Sequence, residues 1–119
     1  MGIVGIGVDI IEISRFKRLA SRKNSIFLKK IFTQKELKYC FAKKNPAGSL
    51  AARFAAKEAV IKATSRFMAI SMNEIEIVNN KNNAPIAIIH NKKMKANISV
   101  SMSHSKDHAI AFAICHDEH

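Results

Sequence analysis

Residues 50–66, Leu-Ala-Ala-Arg-Phe-Ala-Ala-Lys-Glu-Ala-Val-Ile-Lys-Ala-Thr-Ser-Arg, constrain this chain more than any other stretch. Alanine at 51, 52, 55, 56, 59 and 63 makes it the strongest helix former in the sequence. On a helical wheel Leu50, Phe54 and Ile61 share one side, while Ala52, Ala56, Ala59, Val60 and Ala63 cover much of the other. A helix apolar on two sides is a buried helix. Between those sides Glu58, Lys62 and Arg66 form an i, i+4, i+8 ridge. Charges at the margin of a core cost free energy unless paired or given a ligand, so the ridge marks a candidate site.

The other informative stretch is Ile3–Ile13, which reads as a strand. Its even positions, Val4, Ile6, Val8 and Ile10, make one apolar face, and Gly5, Gly7 and Asp9 occupy the opposite one. Glycines there allow either a packed helix or a ligand to come close, with Asp9 beside them.

The rest of the chain reads as helices first and strands later. Ser14 is placed to cap a helix running to about Ser21, and a short helix follows near Ile26–Ile31. Thr33-Gln34-Lys35-Glu36 is a capping-box signature opening a helix over about 34–43. Asn45-Pro46-Ala47-Gly48 breaks the chain before the long helix. Glu74–Val78 and Pro85–His90 form one expected hairpin around Asn79–Asn83, and Asn97–Ser103 and His108–Cys115 a second around Lys106-Asp107. The implied architecture is α+β, an antiparallel sheet packed on a long buried alanine-rich helix. The methionines at 68, 72, 94 and 102 read as packing residues, as do most phenylalanines.

At 119 residues the chain is expected to form one domain, residues 1–119, with a single core. No run reaches the roughly 20 apolar residues of a membrane span, and the N-terminus lacks the basic start of a signal peptide. Cys40 and Cys115 have neither metal-ligand spacing nor a disulfide framework, so a cytoplasmic protein with reduced thiols is expected. Twenty Lys+Arg against nine Asp+Glu give a net charge of +11. That charge attracts nucleic acid, anionic membrane, a polyphosphate ligand or an acidic protein, and by itself favours nucleic acid. A small basic nucleic-acid-binding module without catalysis is therefore the competing reading. It calls for aromatic rings interleaved with the cations, and the chain has one Tyr and no Trp.

Asp9 and Glu58 are isolated carboxylates, with Lys62 near Glu58. Two carboxylates plus a lysine suit a magnesium ion bridging a di- or triphosphate, with water and phosphate oxygens completing its shell. An ordinary Glu58–Lys62 helix pair is the alternative.

Gly5-Ile6-Gly7-Val8-Asp9-Ile10-Ile11-Glu12-Ile13-Ser14-Arg15 and Arg53-Phe54-Ala55-Ala56-Lys57-Glu58-Ala59-Val60-Ile61-Lys62-Ala63 together closely resemble the holo-acyl-carrier-protein synthase family, the small bacterial 4′-phosphopantetheinyl transferases. Phe32-Thr33-x-x-Glu36, Ser101-Met102-Ser103-His104 and the closing Ala-Ile-Ala-Phe-Ala-Ile follow in family order, so the resemblance runs nearly end to end. It implies transfer of 4′-phosphopantetheine from coenzyme A to a serine of apo-acyl carrier protein for fatty acid synthesis, with adenosine 3′,5′-bisphosphate as the other product. It implies that Asp9 and Glu58 hold Mg²⁺ and that these two and Lys62 are the catalytic set. Lys62, Arg53, Ser103 and His104 are then the coenzyme A contacts, and Arg15 and Arg22 on the first helix dock the acidic carrier protein. It further implies a homotrimer with sites between neighbouring subunits. Lys17, Arg18 and Lys23 read as a solvated basic face, and Lys92, Lys93 and Lys95 have no assigned role. One departure stands out: many family members have a glycine-containing turn after the long helix, whereas Ala63–Met68 contains none. A turn requiring positive φ would be strained here, and Arg66 is offered as a phosphate contact in its place.

Overall fold

The computed structural model describes residues 2–22, 25–94 and 96–117; Lys23 and Lys95 lie outside the described residues. Strand β1 (Ile3–Glu12) is followed by helices α1 (Ser14–Ala20), α2 (Ile26–Ile31), α3 (Gln34–Phe41) and α4 (Pro46–Thr64). A 3-10 turn, Met72–Glu74, leads into β2 (Ile75–Asn79), followed by β3 (Pro85–Ile89), β4 (Ala96–His104) and β5 (His108–Asp117). The expected α+β architecture is present as a three-stranded antiparallel sheet in the order β1-β5-β4 and a β2-β3 hairpin.

α4 crosses the inner face of the larger sheet, and the contact is made almost wholly of small residues. Ala51, Ala52, Ala55, Ala56, Ala59 and Ala63 are buried, and so are Ala109, Ala111 and Ala113 of β5. Without large side chains between them the two backbones come very close. A Cβ on Gly5 would fall into the backbone of Ala63, and one on Gly7 into the carbonyl of Ala59. Helix packing therefore explains the glycine face of β1. Since Ala59 meets Gly7 and Ala63 meets Gly5, α4 runs antiparallel to β1.

The apolar face of β1 points the other way. Ile6 pairs with Ile114, Val8 with Phe112 and Ile10 with Ile110, so these six residues share the outer face of the sheet. Ile6, Val8, Ile10, Ile110 and Phe112 are 41–63% exposed. That is a contiguous apolar patch of the kind that marks an interaction surface.

Helix boundaries differ from the sequence reading in informative ways. Ser14 is the first residue of α1; Ile13 takes the cap, and its N–H donates to Asp107 O across 2.8 Å. α1 ends at Ala20, so Arg22 lies beyond the helix. The Thr33/Glu36 capping box forms as expected. α4 begins earlier than expected, because Asn45 accepts from Gly48 N–H and Pro46 sits at the first helical position, where its missing donor costs nothing. It ends at Thr64, placing Arg66 in the following turn. That turn needs no glycine: Ser65 stays right-handed at φ −59°, and among the described residues the one positive φ belongs to Asn83. Phe16 and Phe32 are buried, but Phe27, Phe67 and Phe112 are exposed. No helix among the described residues is long and apolar enough to cross a membrane.

The close approach sets a clear stability contrast. Gly7→Ala is expected to cost about 3 kcal/mol or more in a urea titration, because backbone blocks the added methyl. Gly48→Ala, whose methyl meets only the Asn45 side chain, should change stability by less than about 1 kcal/mol. Equal losses would show that the seam opens freely.

Candidate active site

Lys62 lies in the last turn of α4 and spans the seam to β1. Its Nζ donates to Val8 O at 2.9 Å and to Asp9 Oδ1 at 3.3 Å. Glu58, one turn earlier, is half-buried and has no hydrogen bond or ion pair among the described residues. The ordinary Glu58–Lys62 helix pair is thus not formed; Lys62 is drawn across to Asp9. Their side chains are 53% and 18% exposed, so the pair contributes at most about 1 kcal/mol and separates readily. Magnesium takes one or two protein carboxylates and completes its shell with water and phosphate oxygens. A closed protein cage is not available, since the described residues hold no cluster of three or more His, Cys, Asp or Glu able to bind a metal.

A second feature lies on another side of α4. A cleft of about 460 Å³ is lined by Tyr39, Lys43, Lys44, Arg53, Asn79 and His104, among others, with no carboxylate in its wall. Arg53 is only 4% exposed. Its guanidinium stacks 4.2 Å from the Tyr39 ring centroid, donates to Asn79 Oδ1 at 2.8 Å and reaches Ser49 Oγ at 3.4 Å. Its Nε is buried without a partner. A desolvated cation held by neutral groups is costly, and an anionic ligand would offset that cost. His104 ends β4 opposite Ala109, on the inner face with Met102, whereas Ser103 alternates to the outer face opposite Ile110. Ser103 therefore does not share the His104 cleft within one chain.

Arg53 and Glu58 are five positions apart on α4, which places them about 140° apart around the helix axis. Glu58 and the cationic cleft around Arg53 consequently face different directions. Arg15 is exposed on α1, its guanidinium 6.0 Å from the Phe54 ring centroid, and Arg22 is exposed just past that helix.

A family model described as the 4′-phosphopantetheinyl transferase superfamily matches residues 5–113. The chain belongs to this superfamily. Among relatives of this transferase, a holo-[acyl-carrier-protein] synthase of Thermodesulfovibrio yellowstonii is 42% identical over 114 residues, covering 94% of this chain and 97% of the relative. One from Chlamydia trachomatis serovar D is 44% identical, covering 92% and 97%. Among solved structures, a holo-(acyl-carrier-protein) synthase from Bacillus anthracis in complex with CoA (3′,5′-ADP) superposes with a TM-score of 0.82 at 32% identity, covering 98% of both chains. The Helicobacter pylori holo-[acyl-carrier-protein] synthase in complex with coenzyme A gives 0.80 at 31% identity, covering 92% of this chain and 98% of that one.

The transferase also contains a structural clamp that the sequence reading missed. Lys57, fully buried, donates to Ile31 O at 2.7 Å and Met72 O at 3.1 Å, and pairs with Glu36 Oε1 at 2.6 Å. Glu36 also accepts from Thr33 N–H at 2.9 Å and from Ile77 N–H at 2.7 Å. Burial pushes the Lys57 pKa down, opposed by the charge and hydrogen bond of Glu36. The network ties α2, α3, the 3-10 turn and β2 to α4. By fixing Lys57 inward it sets the rotation of α4 and leaves Glu58, the next residue, half-buried. One signal was present in the sequence: Leu50, Lys57 and Thr64 recur every seven residues, and all three are fully buried. Lys57→Met is expected to cost about 3–5 kcal/mol, because it strands Glu36 in the core. Denaturant titration reads this directly, and a loss below about 1 kcal/mol would remove the clamp from the account.

Proposed function

We propose that this chain, one transferase domain over residues 1–119, moves 4′-phosphopantetheine from coenzyme A to a serine of apo-acyl carrier protein, in the service of fatty acid synthesis. The serine oxygen attacks the phosphorus that carries pantetheine, and adenosine 3′,5′-bisphosphate leaves. The observation that carries this reading is the separation of charge around α4: Asp9 loosely paired with Lys62 on the β1 side, a carboxylate-free cationic cleft on another. Coenzyme A has matching parts, a diphosphate that binds metal and a separate 3′-phosphate. The two solved relatives with coenzyme A in their complexes support the choice of ligand.

Asp9 and Glu58 are the proposed Mg²⁺ ligands. Magnesium, when bound, neutralises diphosphate charge and makes phosphorus easier to attack. Lys62 exchanges its weak pair with Asp9 for a phosphoryl oxygen, stabilising charge on the leaving group. Arg53 and His104 meet the 3′-phosphate end. Among the described residues no nucleophile is needed, because the partner supplies the serine. Arg15 and Arg22, with the overall charge of +11, fit an acidic carrier protein, chiefly by raising its association rate.

The two halves of the site diverge around α4, so one coenzyme A reaches both most simply when neighbouring copies each contribute one half. The exposed outer face of Ile6, Val8, Ile10, Ile110 and Phe112 supplies the apolar surface for such an assembly. A homotrimer with sites between subunits is therefore part of this proposal, and it places Ser103, on that outer face, toward the neighbour.

Incubation with coenzyme A, Mg²⁺ and an apo-carrier protein should add the phosphopantetheine mass to the carrier. Asp9→Ala and Glu58→Ala should each abolish the gain while keeping the fold by circular dichroism. Arg15→Glu should weaken carrier binding without weakening coenzyme A binding. Full transfer by either carboxylate variant would remove the metal site.

A further inference from the structure

Resting on the coenzyme A reading, we infer that Arg66 is a second diphosphate-binding cation, standing beyond Lys62 at the end of the seam. Arg66 and Lys62 line one cleft of about 310 Å³ together with Ile3, Val4, Gly5 and Ile6 of β1. Because α4 runs antiparallel to β1, the charges follow in order along the seam: Asp9 with Lys62, then Arg66 beside Ile3–Gly5.

The end of α4 is a poor place for an anion. Its C-terminal carbonyls carry the negative end of the helix dipole, which repels phosphate. A loop with left-handed residues could present a nest of N–H groups there. None is available: the positive φ among the described residues is at Asn83 alone, and the N–H groups of Phe67 and Met68 are spent on Thr64 O at 3.1 and 3.0 Å. The local hydroxyls turn inward as well. Thr64 Oγ1 donates to Val60 O and Ile61 O, and Ser65 Oγ donates to Lys62 O. Side-chain cations are what remain to hold a phosphate at this end.

Arg66 is free to do so. It is exposed, and it has no hydrogen bond, ion pair or ring contact among the described residues. Arg15 and Arg53, by contrast, each lie over an aromatic ring. A guanidinium also suits the task, since it can meet two phosphate oxygens at once.

Titration calorimetry with Mg²⁺ present compares coenzyme A with dephospho-coenzyme A, which lacks the 3′-phosphate but keeps the diphosphate. Arg66→Ala should weaken both ligands by the same factor, about five- to tenfold for a partly solvated charge-assisted contact, and Arg66→Lys should recover part of the loss. Unchanged affinity for both ligands overturns the assignment, even if carrier-protein affinity falls. A loss confined to coenzyme A overturns it too, by placing Arg66 at the 3′-phosphate. Wild-type protein that binds neither ligand ends the coenzyme A reading and this inference together, whereas wild-type binding that Arg66→Ala leaves intact ends this inference alone.

Discussion

The contact between the glycine face of β1 and the alanine face of α4 is the constraint on which the rest depends. Only hydrogen and methyl groups separate the two backbones around Gly5, Gly7, Ala59 and Ala63. That proximity lets Lys62 cross from helix to strand and reach both Val8 O and Asp9. Bulkier residues would push α4 outward and leave Asp9 and Lys62 unable to meet. The same small residues leave α4 little directional packing, since alanine on alanine specifies no rotation. The Lys57–Glu36 clamp supplies that rotation from the opposite side, with each polar atom of the pair given a defined partner.

Function follows from the way α4 divides charge. Toward β1 it presents Lys62, which reaches Asp9; toward α3 and β2 it presents Arg53, desolvated yet unpaired with any carboxylate among the described residues. Neither arrangement maximises stability. Lys62 and Asp9 form a weak, half-exposed pair, and Arg53 carries a buried Nε without a partner. Both are groups that a phosphorylated ligand would engage more strongly than the protein does. The β1 outer face shows the same incompleteness in apolar form.

Much of this was legible in the sequence, for physical reasons. Alanine density marked α4, alternation marked β1 and β4, and the Thr33/Glu36 box marked the start of α3. Asp9, Glu58 and Lys62 stood out because charges interrupted otherwise apolar elements. The failures have causes too. Periodicity shows which β1 residues share a face but not which face a neighbour covers, so Ile6, Val8 and Ile10 gave no sign of lying outward. Lys57 resembled one more cation in a basic helix, because its partners Ile31, Glu36 and Met72 come from distant segments. The cleft around Arg53 needed Tyr39 and Asn79 from two other elements. The absence of glycine after α4 pointed to strain, yet Ser65 continues the right-handed course and no left-handed residue is required.

In the proposed homotrimer one catalytic site would take its carboxylates from one subunit and its Arg53 cleft from a neighbour. Mixing inactive Glu58→Ala subunits with inactive Arg53→Glu subunits, after mild dissociation and reassembly, tests it most directly. Head-to-tail trimers that contain both types hold one intact site, so transfer activity should return to about a quarter of the wild-type level. Mixtures no more active than either variant alone, with reassembly verified by mass, would contradict the account.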